Sequence, residues 1–178
     1  ELSFAGTPDS IIDNGHSIQL NFPDDANYAV IRGHKYKLIQ AHFHSQSEHT
    51  IGGKHFPLEA HFVHKDENNQ IAVIAVLFKL GEENPALNFV LKKWPKTKNS
   101  EMLIAESIFK PSGLLPSAMT YYHYMGSYTT PPCTQGVNWN VLNTSVEISA
   151  EQIRAFQMRY SNNFRPLQKL NGRKVINY

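Results

Sequence analysis

Cysteine is nearly absent from this sequence, which limits the ways in which the chain can be cross-linked. Cys133 is the only cysteine among 178 residues, so no disulfide can form within the chain. In a secreted protein an odd cysteine indicates a partner outside the chain. The alternative interpretation is a buried, inert thiol. The sequence alone leaves both open.

Long apolar runs and a strong charge of either sign are also missing. No run reaches the roughly 18 apolar residues of a membrane span. The formal net charge is only +2, which does not indicate nucleic-acid or membrane binding, and the basic runs at 92–98 and 169–174 are interpreted as solvated faces. The first residues show no signal-peptide pattern. The sequence does not begin with Met, so we expect the gene to start upstream of Glu1.

The remaining composition predicts one α+β domain, dominated by a large sheet, over residues 1–178. Hydrophobic residues make up 41% of the chain, as in globular proteins. A helix is predicted from the Asn84-Pro85 start to Trp94, and another follows the capping box at 149–152. Strand composition or alternation is found at 17–22, 28–32, 36–45, 58–64, 71–80, 119–129 and 138–142.

Histidine is concentrated in one short stretch. Six of the nine histidines lie between residues 42 and 64. Side chains alternate across a strand, so His42 and His44 share one face of their strand. On the second strand His61 takes one face and His64 the other. If the two strands are antiparallel neighbours, His42, His44 and His61 meet at one point.

Three imidazoles without a nearby cysteine are typical of a zinc site that keeps one coordination position open for catalysis. Gln40 and Glu59 each stand two residues before a histidine of this set, on the same strand face. They can accept a hydrogen bond from the second ring nitrogen of a metal-bound histidine. One His-x-His pair would be a weak signal, whereas two such strands favour a metal site. At this point an iron site of the cupin type, with three histidines, stays open.

Further segments carry a resemblance to a known family. Together with the histidine strands, the sequence resembles the α-carbonic anhydrases, and the bacterial members in particular. The motifs are NGHS at 14–17, SEH at 47–49, GSYTTPPCTQGVNW at 126–139 and NFRPLQ at 163–168. The resemblance implies a mostly antiparallel sheet of about ten strands, with Zn²⁺ at the bottom of a conical cleft.

The resemblance also implies an activity, namely that of a zinc lyase that hydrates carbon dioxide reversibly to bicarbonate and a proton. Zinc-bound hydroxide would be the nucleophile, an effect for which carbonic anhydrases are the standard example. Thr129 and Glu48 would orient this hydroxide, because an ionised carboxylate only accepts hydrogen bonds. His16 would carry the proton to buffer. The substrate-binding positions implied are Val63, Val73, Tyr128, Thr130, Val137 and Trp139.

The sequence departs from the family at two places. Tyr128 stands where the family usually has Leu, which would narrow the pocket or add a hydroxyl. About 40 to 50 residues that usually precede the start are missing, and in the family they include a cysteine that pairs with the position of Cys133. We therefore expect a longer precursor that is periplasmic or secreted. The resemblance also allows a homodimer.

Three other functions compete with this interpretation. The first is a binding module on the same fold that is catalytically weak or silent; such relatives typically lose a zinc histidine, and this sequence keeps all three. The second is another zinc hydrolase, such as an esterase, for which we find no pocket motif. The third is a cupin-type oxygenase, which would need a carboxylate ligand, whereas Glu59 is better explained as a partner of His61.

Overall fold

A mixed β-sheet forms the centre of the molecule and carries both of its apolar clusters. The computed structural model describes residues 1–104 and 109–178. Within them, twelve strands form one sheet and two more form a separate ribbon. The strands are β1 (Leu2–Phe4), β2 (Ser10–Asp13), β3 (Ile18–Asn21), β4 (Asn27–Ile31), β5 (His34–His44), β6 (Thr50–Ile51), β7 (Lys54–His55), β8 (Leu58–Lys65), β9 (Ile71–Leu80), β10 (Ser100–Leu103), β11 (Tyr121–Ser127), β12 (Gln135–Leu142), β13 (Val146–Ile148) and β14 (Ile176–Asn177). The main order of the large sheet is β10-β2-β3-β5-β8-β9-β12-β11-β14, β4 pairs with β5 and β1, and β13 pairs with β9.

Both predicted helices are present, and their ends follow the predicted caps. Helix α1 (Pro85–Lys93) starts at Asn84, whose side chain accepts hydrogen bonds from two backbone N–H groups of the first turn. Helix α2 (Ala150–Arg159) starts at Ser149 with a complete capping box. Such caps satisfy N–H groups that have no partner inside the helix. A 3₁₀ turn at Pro111–Leu114 completes the helical elements of the described residues.

All seven predicted strands are confirmed, with shifts at their ends, and the range of β9 is as predicted. Seven short strands are not predicted from the sequence, namely β1, β2, β6, β7, β10, β13 and β14. They have two to four residues each, too few for an alternating pattern to stand out. The mostly antiparallel sheet is also confirmed, but β9 pairs in parallel with β12 and β13.

The two faces of the central strands pack into different apolar clusters. On one face Phe43, Phe62 and the even-numbered apolar residues of β9 pack into the larger cluster beneath α1 and α2. On the other face Val73, Ala75 and Leu77 pack with Trp139 and its neighbours on β12. Strand β9 is apolar on both faces because it lies between β8 and β12 with a cluster on each side. The second face also carries the candidate site.

Candidate metal centre and active site

Register brings the three predicted metal-binding histidines together at the centre of the sheet. Strands β5 and β8 are antiparallel neighbours, and His42 lies directly opposite His61. The ring centroids of His44 and His61 are 4.4 Å apart, and that of His42 lies 5.0 Å from His44 and 5.2 Å from His61. One ring nitrogen of each lies within 4.8 Å of the other two. The predicted convergence is therefore confirmed.

Each of the three imidazoles has its outer nitrogen held by an oxygen of the protein. His42 Nδ1 lies 2.8 Å from Gln40 Oε1, and His61 Nε2 lies 2.8 Å from Glu59 Oε1. His44 Nδ1 lies 2.6 Å from the carbonyl oxygen of Asn163. An acceptor at the outer nitrogen fixes the proton there and leaves the inner nitrogen with its lone pair toward the metal position.

The environment also keeps two of these rings neutral, as metal binding requires. Burial, together with the neighbouring imidazoles, lowers the pKa of His42 well below its ordinary value. Burial and the proximity of His61 lower the pKa of His44. His44 Nε2 is buried and has no hydrogen-bond partner within the described residues. A buried imidazole nitrogen without a partner is costly unless a ligand occupies it, so the three residues fit a metal ion.

Glu59 has more hydrogen-bond partners than the one predicted from the sequence, His61. Its fully buried carboxylate accepts hydrogen bonds from the backbone N–H groups of Glu48 (2.7 Å) and His49 (2.9 Å). His49 Nδ1 also lies 2.6 Å from Glu59 Oε1, and its other nitrogen lies 2.7 Å from the Tyr124 hydroxyl. Burial alone would raise the pKa of Glu59, but His49 and His61 hold that pKa well below its ordinary value. One carboxylate therefore orients one of the three converging histidines and fixes the loop that carries Glu48.

A cavity of about 790 Å³ opens above the three histidines. Its apolar side includes Val63, Val73 and Trp139, and the Trp139 ring lies edge-on to His61 at 4.8 Å. Tyr128, 37% exposed, lines the same cavity. Val137 does not line it but packs behind the wall, in the cluster of Val73 and Trp139. Its assignment to the substrate wall stays a prediction.

The polar residues predicted for catalysis also line this cavity: His16, Glu48, Thr129 and Thr130. His16 is exposed, whereas Glu48 is buried. Glu48 Oε1 accepts a hydrogen bond from the backbone N–H of Arg165 at 2.6 Å. Glu48 Oε2 is buried and has no hydrogen-bond partner within the described residues. The predicted hydrogen bond from Thr129 to Glu48 is not formed here, so the orienting pair stays a prediction.

Two features of the site had little or no signal in the sequence. The acceptor for His44 is a backbone carbonyl 119 residues away, and any residue type could supply it. The second feature is Cys133, which lines the cavity and is free and partly buried. The sequence predicts either an external partner or an inert thiol for it, and not a place in the cavity. One feature of the sequence indicates that Cys133 lies near the site, because it follows Thr129 by four residues.

The fold and the three-histidine cluster define a class: a β-sheet protein with the donor set of an open zinc site. A family model described as eukaryotic-type carbonic anhydrase matches residues 3–178. The carbonic anhydrase of Neisseria gonorrhoeae is 46% identical over 92% of this chain and 64% of its own length. That of Pectobacterium carotovorum is 41% identical over 99% of this chain and 72% of its own length.

Solved structures agree with the sequence relatives. The α-carbonic anhydrase of Thermovibrio ammonificans, solved with the inhibitor sulfanilamide, superimposes with a TM-score of 0.92 at 42% identity and covers 98% of this chain and 77% of that one. The chain therefore belongs to the α-carbonic anhydrase family. No helix of the described residues is long and apolar enough to cross a membrane.

Proposed function

We propose that this chain catalyses the reversible hydration of carbon dioxide to bicarbonate and a proton, with Zn²⁺ bound by His42, His44 and His61. The observation that carries the proposal is the convergence of three oriented imidazoles at the base of an open cavity. The lining of this cavity includes both apolar side chains and hydrogen-bonding groups. Such a site suits a small apolar substrate that becomes an anion as it reacts.

The donor set supports zinc. Three neutral imidazoles leave the +2 charge of the ion undiminished and a fourth position free. When bound, zinc supplies a Lewis acid and a nucleophile derived from water at neutral pH. The hydrogen bonds from Gln40, Glu59 and the Asn163 carbonyl would hold the three rings in a binding orientation before the ion arrives. Preorganisation of this kind avoids reorganisation during turnover.

The protein would orient the reacting groups through Thr129 and Glu48. The free oxygen of Glu48 is buried beside the histidines, 3.9 Å from His61 Nδ1. A hydroxyl that donates to this carboxylate can only accept from the opposite side. We propose that Thr129 takes this role when substrate and metal are bound, and that Thr130 helps to place bicarbonate. The apolar side formed by Val63, Val73 and Trp139 would hold carbon dioxide and exclude excess water.

Each turnover also produces a proton that must leave the cavity. His16 is exposed at the cavity lining, and imidazole is the side chain that exchanges protons most readily near neutral pH. We propose that His16 accepts the proton from the water network of the cavity and passes it to buffer. Asn14 and Gln19, which line the same side, would contact this water.

The test is stopped-flow CO₂ hydration of this chain while zinc is titrated into the metal-free protein. We expect the rate to rise with zinc and to saturate at about one ion per chain. His42→Ala removes a ligand and should abolish both zinc retention and hydration. His34→Ala is the matched control, because His34 lies exposed at the start of the same strand, and it should leave both unchanged.

Zinc bound at one ion per chain without hydration would refute the proposed activity and favour a silent binding module. No retained zinc would refute the metal site itself. The length of the native polypeptide, its periplasmic or secreted location, the pairing of Cys133 and a homodimer stay predictions from the resemblance. Intact-mass analysis of the native protein would test its length and the pairing of Cys133. Sedimentation would test the homodimer, and fractionation of the native cells would test the location.

A further inference from the structure

A buried carboxylate outside the metal centre joins the end of a helix to the turn that carries His16. Asp13 is the last residue of β2 and is fully buried. Its Oδ2 accepts a hydrogen bond from Arg159 Nε at 2.7 Å, and its Oδ1 accepts one from the Tyr160 hydroxyl. The same Oδ1 accepts the backbone N–H of Gly15 at 3.0 Å. Asp13 therefore has contacts in two directions.

The helix side of this cluster is itself held firmly. Arg159 ends α2, and its Nη1 and Nη2 donate to the carbonyl oxygens of Lys96 (2.9 Å) and Pro95 (3.0 Å). Tyr160 caps the same helix, and Lys98 Nζ lies 4.8 Å from the centre of its ring. A guanidinium with this many partners forms a geometrically specific pair with a carboxylate. The end of α2 is thus a fixed point for Asp13.

The cluster is ionised as an Asp–Arg pair at neutral pH. Burial raises the pKa of Asp13, but hydrogen bonds from Tyr160, Gly15 and Arg159 outweigh it and bring that pKa below its ordinary value. Burial and the Asp13 carboxylate raise the pKa of Tyr160 to about 12, so its hydroxyl keeps its proton and donates. Charged hydrogen bonds are about twice as strong as neutral ones.

On its other side, Asp13 contacts the turn at residues 14–17, which contains His16. Asn14 Oδ1 accepts the backbone N–H of His16 at 3.0 Å, and Asn163 Nδ2 donates to the carbonyl oxygen of His16 at 3.0 Å. Gly15 has φ +84, and a Cβ there would lie 2.4 Å from Asn99 Oδ1. This backbone conformation favours glycine. The main chain of His16 is therefore held on both sides, and Asp13 holds the residue before it.

We propose that Asp13 is a positioning residue for proton transfer, because it ties the 14–17 turn to the end of α2 and so keeps His16 at the cavity. This proposal rests on the proposed function. A purely structural Asp–Arg pair would stabilise the fold without affecting how protons leave. Proton export follows the conversion of carbon dioxide, so its impairment lowers kcat and leaves kcat/KM unchanged.

The experiment is stopped-flow hydration by zinc-loaded Asp13→Asn, with and without imidazole as a proton-carrying buffer. We expect kcat in a poor buffer to fall about tenfold, kcat/KM to stay within about twofold, and imidazole to restore kcat. The control is Asp25→Asn, which removes an exposed carboxylate paired with Lys37 and should change neither constant. An unchanged kcat, or a parallel fall of both constants without rescue, would overturn the proposal.

A second readout does not depend on activity. Amide hydrogen exchange followed by NMR should show the Gly15 N–H of Asp13→Asn exchanging at least about tenfold faster than that of the unmodified chain. Tyr160→Phe, which keeps the carboxylate, should show a smaller acceleration and serves if Asp13→Asn does not fold. An unchanged exchange rate of the Gly15 N–H in both variants would show that Asp13 does not hold the turn. If the unmodified chain binds zinc but hydrates no CO₂, the proposed function fails while this measurement still decides whether Asp13 holds the turn.

Discussion

The two faces of β8 carry histidines three residues apart whose surroundings are opposite. His61 faces the cavity beside two other imidazoles, with a carboxylate on its outer nitrogen. His64 faces the larger apolar cluster, stacked on Phe4 at 5.8 Å, with its Nδ1 2.8 Å from the carbonyl oxygen of Phe62. Burial lowers the pKa of His64 to about 4. A buried histidine becomes a candidate ligand only where others converge on it with acceptors behind them.

The two histidines can be tested against each other by replacing each of them with phenylalanine. His61→Phe removes a proposed ligand, and we expect loss of bound zinc and at least about a 10³-fold fall in kcat/KM. His64→Phe should keep one zinc per chain and a rate within about twofold, because that face has no part in the site. Metal analysis and stopped-flow hydration measure both. Loss of zinc from His64→Phe would show that the two faces are not independent.

The acceptor behind His61 should matter nearly as much as a ligand. Glu59→Gln removes the charge that fixes the His61 proton and also weakens the hold on the Glu48 loop. We expect zinc affinity to fall about 10- to 100-fold, measured by competition with a chelator. Glu147→Gln, at an exposed carboxylate of β13, is the matched control. Equal affinities in the two variants would contradict the role of Glu59.

The burial of His64 should make the free energy of unfolding depend on pH. Its folded pKa of about 4 lies below the ordinary value of 6.5, so the unfolded chain binds the proton first. This group therefore contributes stability that is fully present above pH 6.5 and is lost as pH falls toward 4, by about 3 kcal/mol. Denaturant unfolding of the metal-free protein should show a shallower pH slope in His64→Phe over this window. Parallel slopes would show that His64 is not neutral in the folded state.

The smallest effect is expected at Tyr128. Its side chain is 37% exposed at the cavity wall, so Tyr128→Leu should change kcat/KM for CO₂ by no more than about threefold. Tyr128→Phe separates the hydroxyl from the ring. A larger change in Tyr128→Leu alone would mean that the ring narrows the substrate pocket. A change shared by both variants would assign the effect to the hydroxyl.

Much of this site follows from alternation in two strands. Because side chains change face at every residue, the sequence predicts that His42, His44 and His61 converge and that His64 points away. The acceptors Gln40 and Glu59 are predictable for the same reason, since each lies two residues from its histidine. Pairings that depend on distant segments have no such signal. The parallel pairing of β12 with β9 and the contact of His44 with the Asn163 carbonyl depend on tertiary packing.

That last contact makes the metal centre sensitive to the completion of the chain. His44 acquires its acceptor, the carbonyl oxygen of Asn163, only when a segment 119 residues downstream has packed against it. During synthesis, the strands with all three ligands can pair long before Asn163 leaves the ribosome. Closing so long a loop also costs chain entropy, which the contact has to offset. If the site binds zinc as proposed, tight zinc retention would therefore distinguish finished molecules from nascent or partly unfolded ones.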